Sequence, residues 1–450
     1  MTETKLTIGV VALARTTFDM ALAEEKTANM RALLQTEERF ALVGPRELTT
    51  SLDEAKAAAQ SLAMEPLDLL LVFQATFADS TMVMALAKAI DAPLVMWAVP
   101  EAPNGARLRL NSFCGINLGG HAMKRAGLSF DYIYAPADDP AALEKIMTWA
   151  KAGRAKRLLA QARIGRIGQH PEGFDSCELD AAALKSRFGV EIVQMELATV
   201  FEGARSVPEA DVDEALAALR AQIEIDATLD EAALRKSLAT YVTMRRLAAE
   251  QGLHAMAVRC WPEFFTELGC AACGAMSMLT NELTPCSCEA DINGALSQLL
   301  LQWVSDAPVF GTDMVAFDGK ENTAVVWHCG KAPLAMADPE FQARATIHSN
   351  RKLPLLMEFP LKPGRVTIVR ISEAPGTGRY QLVVGSGEML RAPLSFSGTS
   401  GVLRFDSGAE AALDTIMSEG LEHHIELTYG DHVSALLALA ELLEMPVLRL

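Results

Sequence analysis

The chain has 450 residues, half of them hydrophobic and 22% charged, with 57 acidic against 40 basic side chains and a formal charge of -17. This composition supplies apolar material for two to four domains and excludes a disordered or low-complexity chain. A surface this acidic disfavours nucleic acid and anionic membrane as general partners, although a few local cations can still hold a small anion within the screening length.

Residues 6–13, 69–73 and 93–99 are nearly continuous apolar runs, as expected of strands covered on both faces. Helices are predicted between them over 19–34, 52–63 and 80–90, with a last strand over 130–135 and a helix over 140–160. This is the βαβ rhythm of a parallel sheet. A second such segment has strands at 163–168, 190–197 and 254–260 and helices at 207–222, 229–251 and 292–303. From 308 the texture becomes strand-rich, with strands at 313–317, 323–327, 365–371, 380–384 and 402–405 and a helix at 431–443. Gly and Pro punctuate that region, and Gly376-x-Gly378 and Gly385-x-Gly387 read as hairpin turns. The predicted class is α/β: two doubly wound α/β domains (1–160 and 161–307) followed by a β-rich C-terminal domain (308–450).

No apolar run reaches the ~18 residues of a membrane span. Residues 1–5 do not read as a leader, and eight cysteines are too few for a disulfide scaffold. A cytoplasmic protein with reduced thiols is expected. The basic stretch 151–166 reads as a solvated helix end and connector.

The phosphate loop, the G-x-S-x-G elbow and the HExxH helix are missing from the sequence. Cys270-x-x-Cys273 with Cys286-x-Cys288 has poor zinc spacing, and its thiols read instead as small buried groups near an active site. The strongest constellation is acidic. Glu263 falls just past a strand's carboxyl end, where open α/β sheets bind ligands. Glu289 and Asp291 precede an apolar helix, which Asp291 could simply cap. His432 opens another helix, where the local field favours a neutral imidazole, with a plain capping-turn histidine as the alternative. Two carboxylates and one imidazole suit Mn²⁺, Mg²⁺ or Co²⁺. Such a cation can grip the vicinal oxygens of a sugar while a carboxylate moves a proton between adjacent carbons.

The ordered segments C-W-P-E-F (260–264), C-E-A-D-I-N-G-A (288–295), W-H-C-G (327–330) and Y-G-D-H-V (429–433) resemble the L-fucose/L-arabinose isomerase superfamily. The resemblance implies a metal-dependent aldose–ketose isomerase working through an ene-diol. Glu263, Asp291 and His432 match the metal ligands, and Glu263 and Asp291 also match the acid/base pair. Glu289 is the rival to Asp291, and Asp313 stands where the arabinose branch has a histidine ligand. His121 and Arg15 match substrate-contacting positions in a site shared between chains, implying a homo-oligomer, a trimer or hexamer. His328 is a further candidate substrate contact, whereas His423 and His424 look structural. Arg15, Lys124 and Arg125 supply cations that make a sugar bearing an anionic group, such as sulfoquinovose, an attractive substrate, with a deoxy hexose the other candidate. A noncatalytic sugar-binding protein, or a metal-dependent lyase on a sugar acid or sugar phosphate, are the alternatives.

Overall fold

The structure is a computed structural model and describes residues 5–374 and 379–450. The Gly376-x-Gly378 turn lies outside those residues. The chain divides into two compact units, Met1–Arg157 with Leu437–Glu444, and Leu158–Leu436 with Met445–Leu450.

Unit 1 is built from β1 (Leu6–Leu13), α1 (Met20–Gln35), β2 (Phe40–Val43), α2 (Leu52–Leu62), β3 (Leu69–Gln74), α3 (Ser80–Ala89), β4 (Leu94–Ala98), α4 (Ser112–Arg125), β5 (Asp131–Tyr134) and α5 (Ala141–Leu159), which runs just past the unit's edge. The strands form one parallel sheet in the order β2-β1-β3-β4-β5. β3 and β4 are buried at every position, which is why they read as unbroken apolar runs. The helix starts follow ordinary capping. Asp19 accepts the Leu22 N–H, Ser51 and Glu54 close a reciprocal box, and Asp79 accepts the Thr81 N–H.

Unit 2 opens with a second parallel layer. It comprises β6 (Arg163–Ile167), α6 (Ala181–Phe188), β7 (Glu191–Met195), α7 (Leu197–Ser206), α8 (Glu209–Arg220), β8 (Glu224–Ile225), α9 (Glu231–Gln251), β9 (Ala255–Val258), α10 (Cys273–Asn281), β10 (Cys286–Ser287) and α11 (Ile292–Ser305). Its sheet order is β10-β9-β6-β7, all parallel, with the two-residue β8 pairing elsewhere. The helix predicted over 207–222 is α8, and a further helix, α7, precedes it. Pro208 separates them, because it cannot continue the first helix but is well placed to start the second.

The strand-rich part follows: β11 (Phe310–Asp318), β12 (Thr323–His328), β13 (Arg344–Ile347), β14 (Pro354–Pro360), β15 (Gly364–Ala374), β16 (Arg379–Leu390), β17 (Thr399–Phe405), α12 (Ala409–Glu419), β18 (His424–Tyr429), α13 (Val433–Leu442) and β19 (Val447–Arg449). Six of these strands close on themselves in the order β16-β15-β18-β11-β12-β17, every neighbouring pair antiparallel and β17 returning to β16. Closure removes the free edges such a sheet would otherwise carry. Gly385-x-Gly387 is not a turn. It lies inside β16, where a Cβ on Gly387 would collide with the Arg404 carbonyl oxygen on β17. The glycine is there so that two barrel strands can approach.

The α/β layer and the barrel share one apolar core, in which Phe264, Met276 and Leu279 are continuous with Phe310, Phe359 and Leu427. No helix of the described residues is long and apolar enough to cross a membrane.

Candidate active site

Unit 2 holds a cavity of about 340 Å³ where the carboxyl ends of its parallel strands meet the barrel. Phe174 follows β6, Trp261 follows β9, and Glu289 follows β10, as expected for ligand sites of open α/β sheets. The barrel contributes Asp313 from β11, Trp327 and His328 from β12, and His423 and His424 at the start of β18. Asp313 and His424 are direct cross-strand partners, so the pairing of β11 with β18 sets their separation.

His424 is the centre of the constellation. It is buried, and its Nδ1 lies 3.0 Å from Asp291 Oδ2. A carboxylate at that distance accepts the hydrogen bond of an Nδ1–H, which keeps the proton on Nδ1 and leaves the Nε2 lone pair free. Nε2 faces Glu289 Oε2 at 3.9 Å and Asp313 Oδ1 at 3.6 Å. Asp313 Oδ1 is buried with no hydrogen-bond partner among the described residues. Asp313, His423 and His424 bring ligand atoms within 4.8 Å of one another, as do Cys177, Glu289 and His424, and also Cys288, His328 and His424. A buried carboxylate oxygen lacking a donor, opposite an imidazole lone pair and a second carboxylate, fits a divalent cation of the hard-to-borderline kind.

Glu289 reaches the cavity through unusual backbone. Both Glu289 and Ala290 have φ of 56°, a left-handed conformation that costs non-glycine residues energy and recurs at functional sites. The Ala290 N–H donates to the Val258 carbonyl, which holds the turn against β9. Glu289 accepts from the Trp261 indole at 3.0 Å and contacts His423 Nε2 at 3.1 Å. Burial would raise its pKa, but the hydrogen bonds from His423 and Trp261 and the attraction of the neighbouring histidines outweigh it and hold the carboxyl below its usual range. At Asp313 burial prevails over His424 and His423, and the pKa is pushed up. His423, whose Nδ1 lies 2.9 Å from Ser176 Oγ, is raised: burial opposes protonation, but the Glu289 bond and the surrounding carboxylates favour it more strongly. His328 is held well below the ordinary histidine value by burial and the Lys331 charge, so it is neutral. Its Nδ1 accepts the Cys329 N–H at 2.8 Å, which places its proton on Nε2.

The structure does not bring Glu263, Asp291 and His432 together. Glu263 is not among the cavity's lining residues and is bound to Arg259, four residues earlier, at 2.8 Å. Asp291 caps α11 through the Gly294 N–H at 2.8 Å and forms a doubly hydrogen-bonded pair with the buried Arg370. Arg370 holds its carboxyl far below the usual range against the opposing cost of burial. Asp291 thus orients the metal-facing imidazole, the role of a carboxylate behind a histidine ligand. His432 directs Nε2–H to the Tyr429 carbonyl at 3.0 Å, and its backbone N–H donates to Thr367 Oγ1 at 2.9 Å. His423 and His424, expected to be structural, line the cavity instead, as does His328. The signal for β18 was present in the sequence: His424, Glu426 and Thr428 alternate with apolar residues, and in the closed barrel both faces are buried. Among the described residues, Cys270, Cys273, Cys286 and Cys288 together form no metal-binding group. Cys260 Sγ lies 2.8 Å from Cys288 Sγ and Cys273 Sγ lies 3.3 Å from Cys329 Sγ, all four lining the cavity.

In unit 1, Arg15 lies just beyond β1 and Thr76 just beyond β3, on either side of the point where the strand order reverses. Arg15 pairs with Asp79 at 2.7 Å and lies 5.7 Å from the centre of the Phe77 ring. His121 is exposed on α4.

Two family models match the chain: the N-terminal domain of fucose/sulfoquinovose isomerase over residues 9–156 and the C-terminal domain of L-fucose isomerase over residues 326–450. A sulfoquinovose isomerase of Alkalicoccus urumqiensis is 33% identical over 447 residues, covering 99% of both chains. One from Priestia aryabhattai is 31% identical over 98% of both. Another, from Clostridium sp. strain MSTE9, is 29% identical over 94% of this chain and 93% of its own. The full-length similarity and the two carboxylates ranged about one oriented imidazole agree, and the chain belongs to the fucose/sulfoquinovose isomerase family of aldose–ketose isomerases.

Proposed function

We propose that the protein interconverts sulfoquinovose and its 2-ketose, with a divalent cation of the Mn²⁺ type held by Glu289, Asp313 and His424. The observation that carries the metal assignment is the His424 Nε2 lone pair, aimed at both carboxylates by Asp291 behind it. Mg²⁺ or Co²⁺ would suit the same oxygen-rich donor set. When bound, the cation supplies Lewis-acid stabilisation of the charge developing on the sugar's adjacent oxygens. The chain's own groups do the rest. Glu289 and Asp313 are the two groups placed to take a proton from one carbon and return it to its neighbour. His423 and Trp261 fix the Glu289 carboxylate by hydrogen bonds. Neutral His328 offers an Nε2–H to a sugar oxygen, and the rings of Phe174, Trp261 and Trp327 limit water in the cavity.

The sulfosugar assignment is supported by the relatives named above. Incubation with sulfoquinovose, Mn²⁺ and D₂O tests it. The expected product is the ketose, with deuterium at the carbon that exchanged. Turnover of neutral hexoses with none of the sulfosugar would refute the substrate, and fragments instead of an isomer would refute the reaction.

The same reading places the enzyme in the cytoplasm, where its eight unbridged cysteines would stay reduced. It also makes the protein a homo-oligomer, a trimer or hexamer, in which Arg15 and His121 serve a neighbouring copy's site. Its support is the apolar surface beside His121: α4 exposes Phe113 and Leu118, and Phe113 packs on the exposed Tyr134 with ring centres 5.2 Å apart. Light scattering on the purified protein gives the subunit number, and a monomer would remove this part.

A further inference from the structure

Another part of the cavity lining, across the Trp261 ring from Glu289, has a different chemistry. The turn after β13 carries His348, Asn350 and Arg351, all lining the cavity. The turn is held from within. His348 Nδ1 accepts the N–H groups of Asn350 and Arg351 at 3.3 and 3.4 Å, and its backbone carbonyl and N–H bond Lys352 and Leu353 at 2.8 and 2.9 Å. His348 is buried and stands edge-on to Phe265 at 5.3 Å. On this anchored turn the Arg351 guanidinium lies over two rings, 4.8 Å from the centre of Trp261 and 5.0 Å from that of Phe265. Arg351 is exposed and makes no ion pair among the described residues, in contrast to Arg259, Arg365 and Arg391. A guanidinium seated on aromatic faces keeps its N–H fork free for a planar or tetrahedral oxyanion.

We infer that Arg351 is the specificity-determining residue of this isomerase, binding the sulfonate at the far end of the open-chain sugar while the reacting carbons lie against Glu289 and Asp313. This rests on the sulfosugar reading above. One guanidinium matches a monoanion, and local pairing overrides the distant field of a chain whose net charge is -17. Trp261 links the two ends, since it carries Arg351 on its face and donates its indole N–H to Glu289. Seating the anion therefore also fixes a group that holds the base.

The test compares the Mn²⁺-loaded wild type, R351Q and R351K on sulfoquinovose, on 6-deoxyglucose as substrate or competitive inhibitor, and on glucose 6-phosphate. R351Q is expected to lower kcat/KM for the sulfosugar about 10- to 100-fold. It should leave the 6-deoxyglucose constant unchanged. R351K should recover part of the loss by keeping the charge without the fork. Circular dichroism should show both variants folded, because the side chain is exposed and only its contacts with the two rings are lost. Equal losses on both sugars, no loss on either, or a wild type that prefers the phosphate ester each overturn the assignment. A wild type active on the sulfosugar but indifferent to Arg351 overturns this inference alone. A wild type inactive on the sulfosugar overturns the substrate reading and this one with it.

Discussion

Replacing Asp291 by asparagine separates a positioning carboxylate from a surface one. The change keeps the shape and removes the charge. Asp291 and Arg370 are each 1% exposed and joined at 2.7 and 3.2 Å. The remaining carboxylates near Arg370 are Glu426 at 3.5 Å and Glu422 at 3.7 Å. Burial raises the Glu426 pKa well above its ordinary value, so Asp291 carries most of the counter-charge. Removing one partner of a buried pair costs about 3–5 kcal/mol, and Glu422 keeps this case near the lower end. For a unit of this size that corresponds to a fall in Tm on the order of 10 °C, read on metal-free protein by thermal melting. A second effect is independent of stability. The introduced side-chain amide can donate to His424 Nδ1, which would move the proton to Nε2 and close the lone pair that faces Glu289 and Asp313. The affinity for Mn²⁺, measured by titration calorimetry below the melting range, should fall about 10- to 100-fold. A metal-free D291N protein that melts with the wild type, or one that binds Mn²⁺ as tightly, would refute the role given to Asp291.

Glu289→Gln should lower kcat by about 10²–10⁴-fold with the fold intact, measured by product formation beside circular dichroism, because it removes one of the two proton-moving groups. Glu263→Gln should leave turnover near wild type and cost about 1 kcal/mol, since among the described residues Glu263 is paired with Arg259 and does not line the cavity; a dead but folded E263Q enzyme would return Glu263 to the mechanism. His348 is lowered to about 4 by burial and by the Arg351 and Lys352 charges. The unfolded chain therefore binds a proton near pH 6.5 that the native turn refuses until about pH 4, so stability falls as pH drops through that window, by at most about 3 kcal/mol. Urea unfolding at several pH values should show H348Q losing less stability than wild type between pH 6.5 and 4. Identical acid limbs would refute the neutral anchoring role.

Much of the architecture follows from local pattern. The runs at β1, β3 and β4 are apolar throughout because parallel strands are covered on both faces, and the start of α2 is written in Ser51 and Glu54. The short strand-like pieces from 308 onward, and the Gly and Pro between them, mark the change to an antiparallel region. The segment 288–295 likewise marks the site, as one of the ordered segments that carry the family resemblance. What a linear reading could not resolve was which carboxylate faces the cavity. Glu289 and Asp291 are two residues apart, and the choice rests on the left-handed backbone at Glu289 and Ala290, held from across the sheet by the Val258 carbonyl. The choice among the histidines was likewise tertiary. His432 satisfies itself three residues back, whereas His424 becomes a ligand candidate only because β18 pairs with β11, which sets Asp313 opposite, and because Arg370, from β15, fixes Asp291 behind it. Periodicity, caps and turns depend on neighbours along the chain and can be read in order. A metal-facing imidazole depends on strand register, on a carboxylate 133 residues before it and on a buried counter-charge 79 residues beyond that carboxylate, and only the folded chain brings them together.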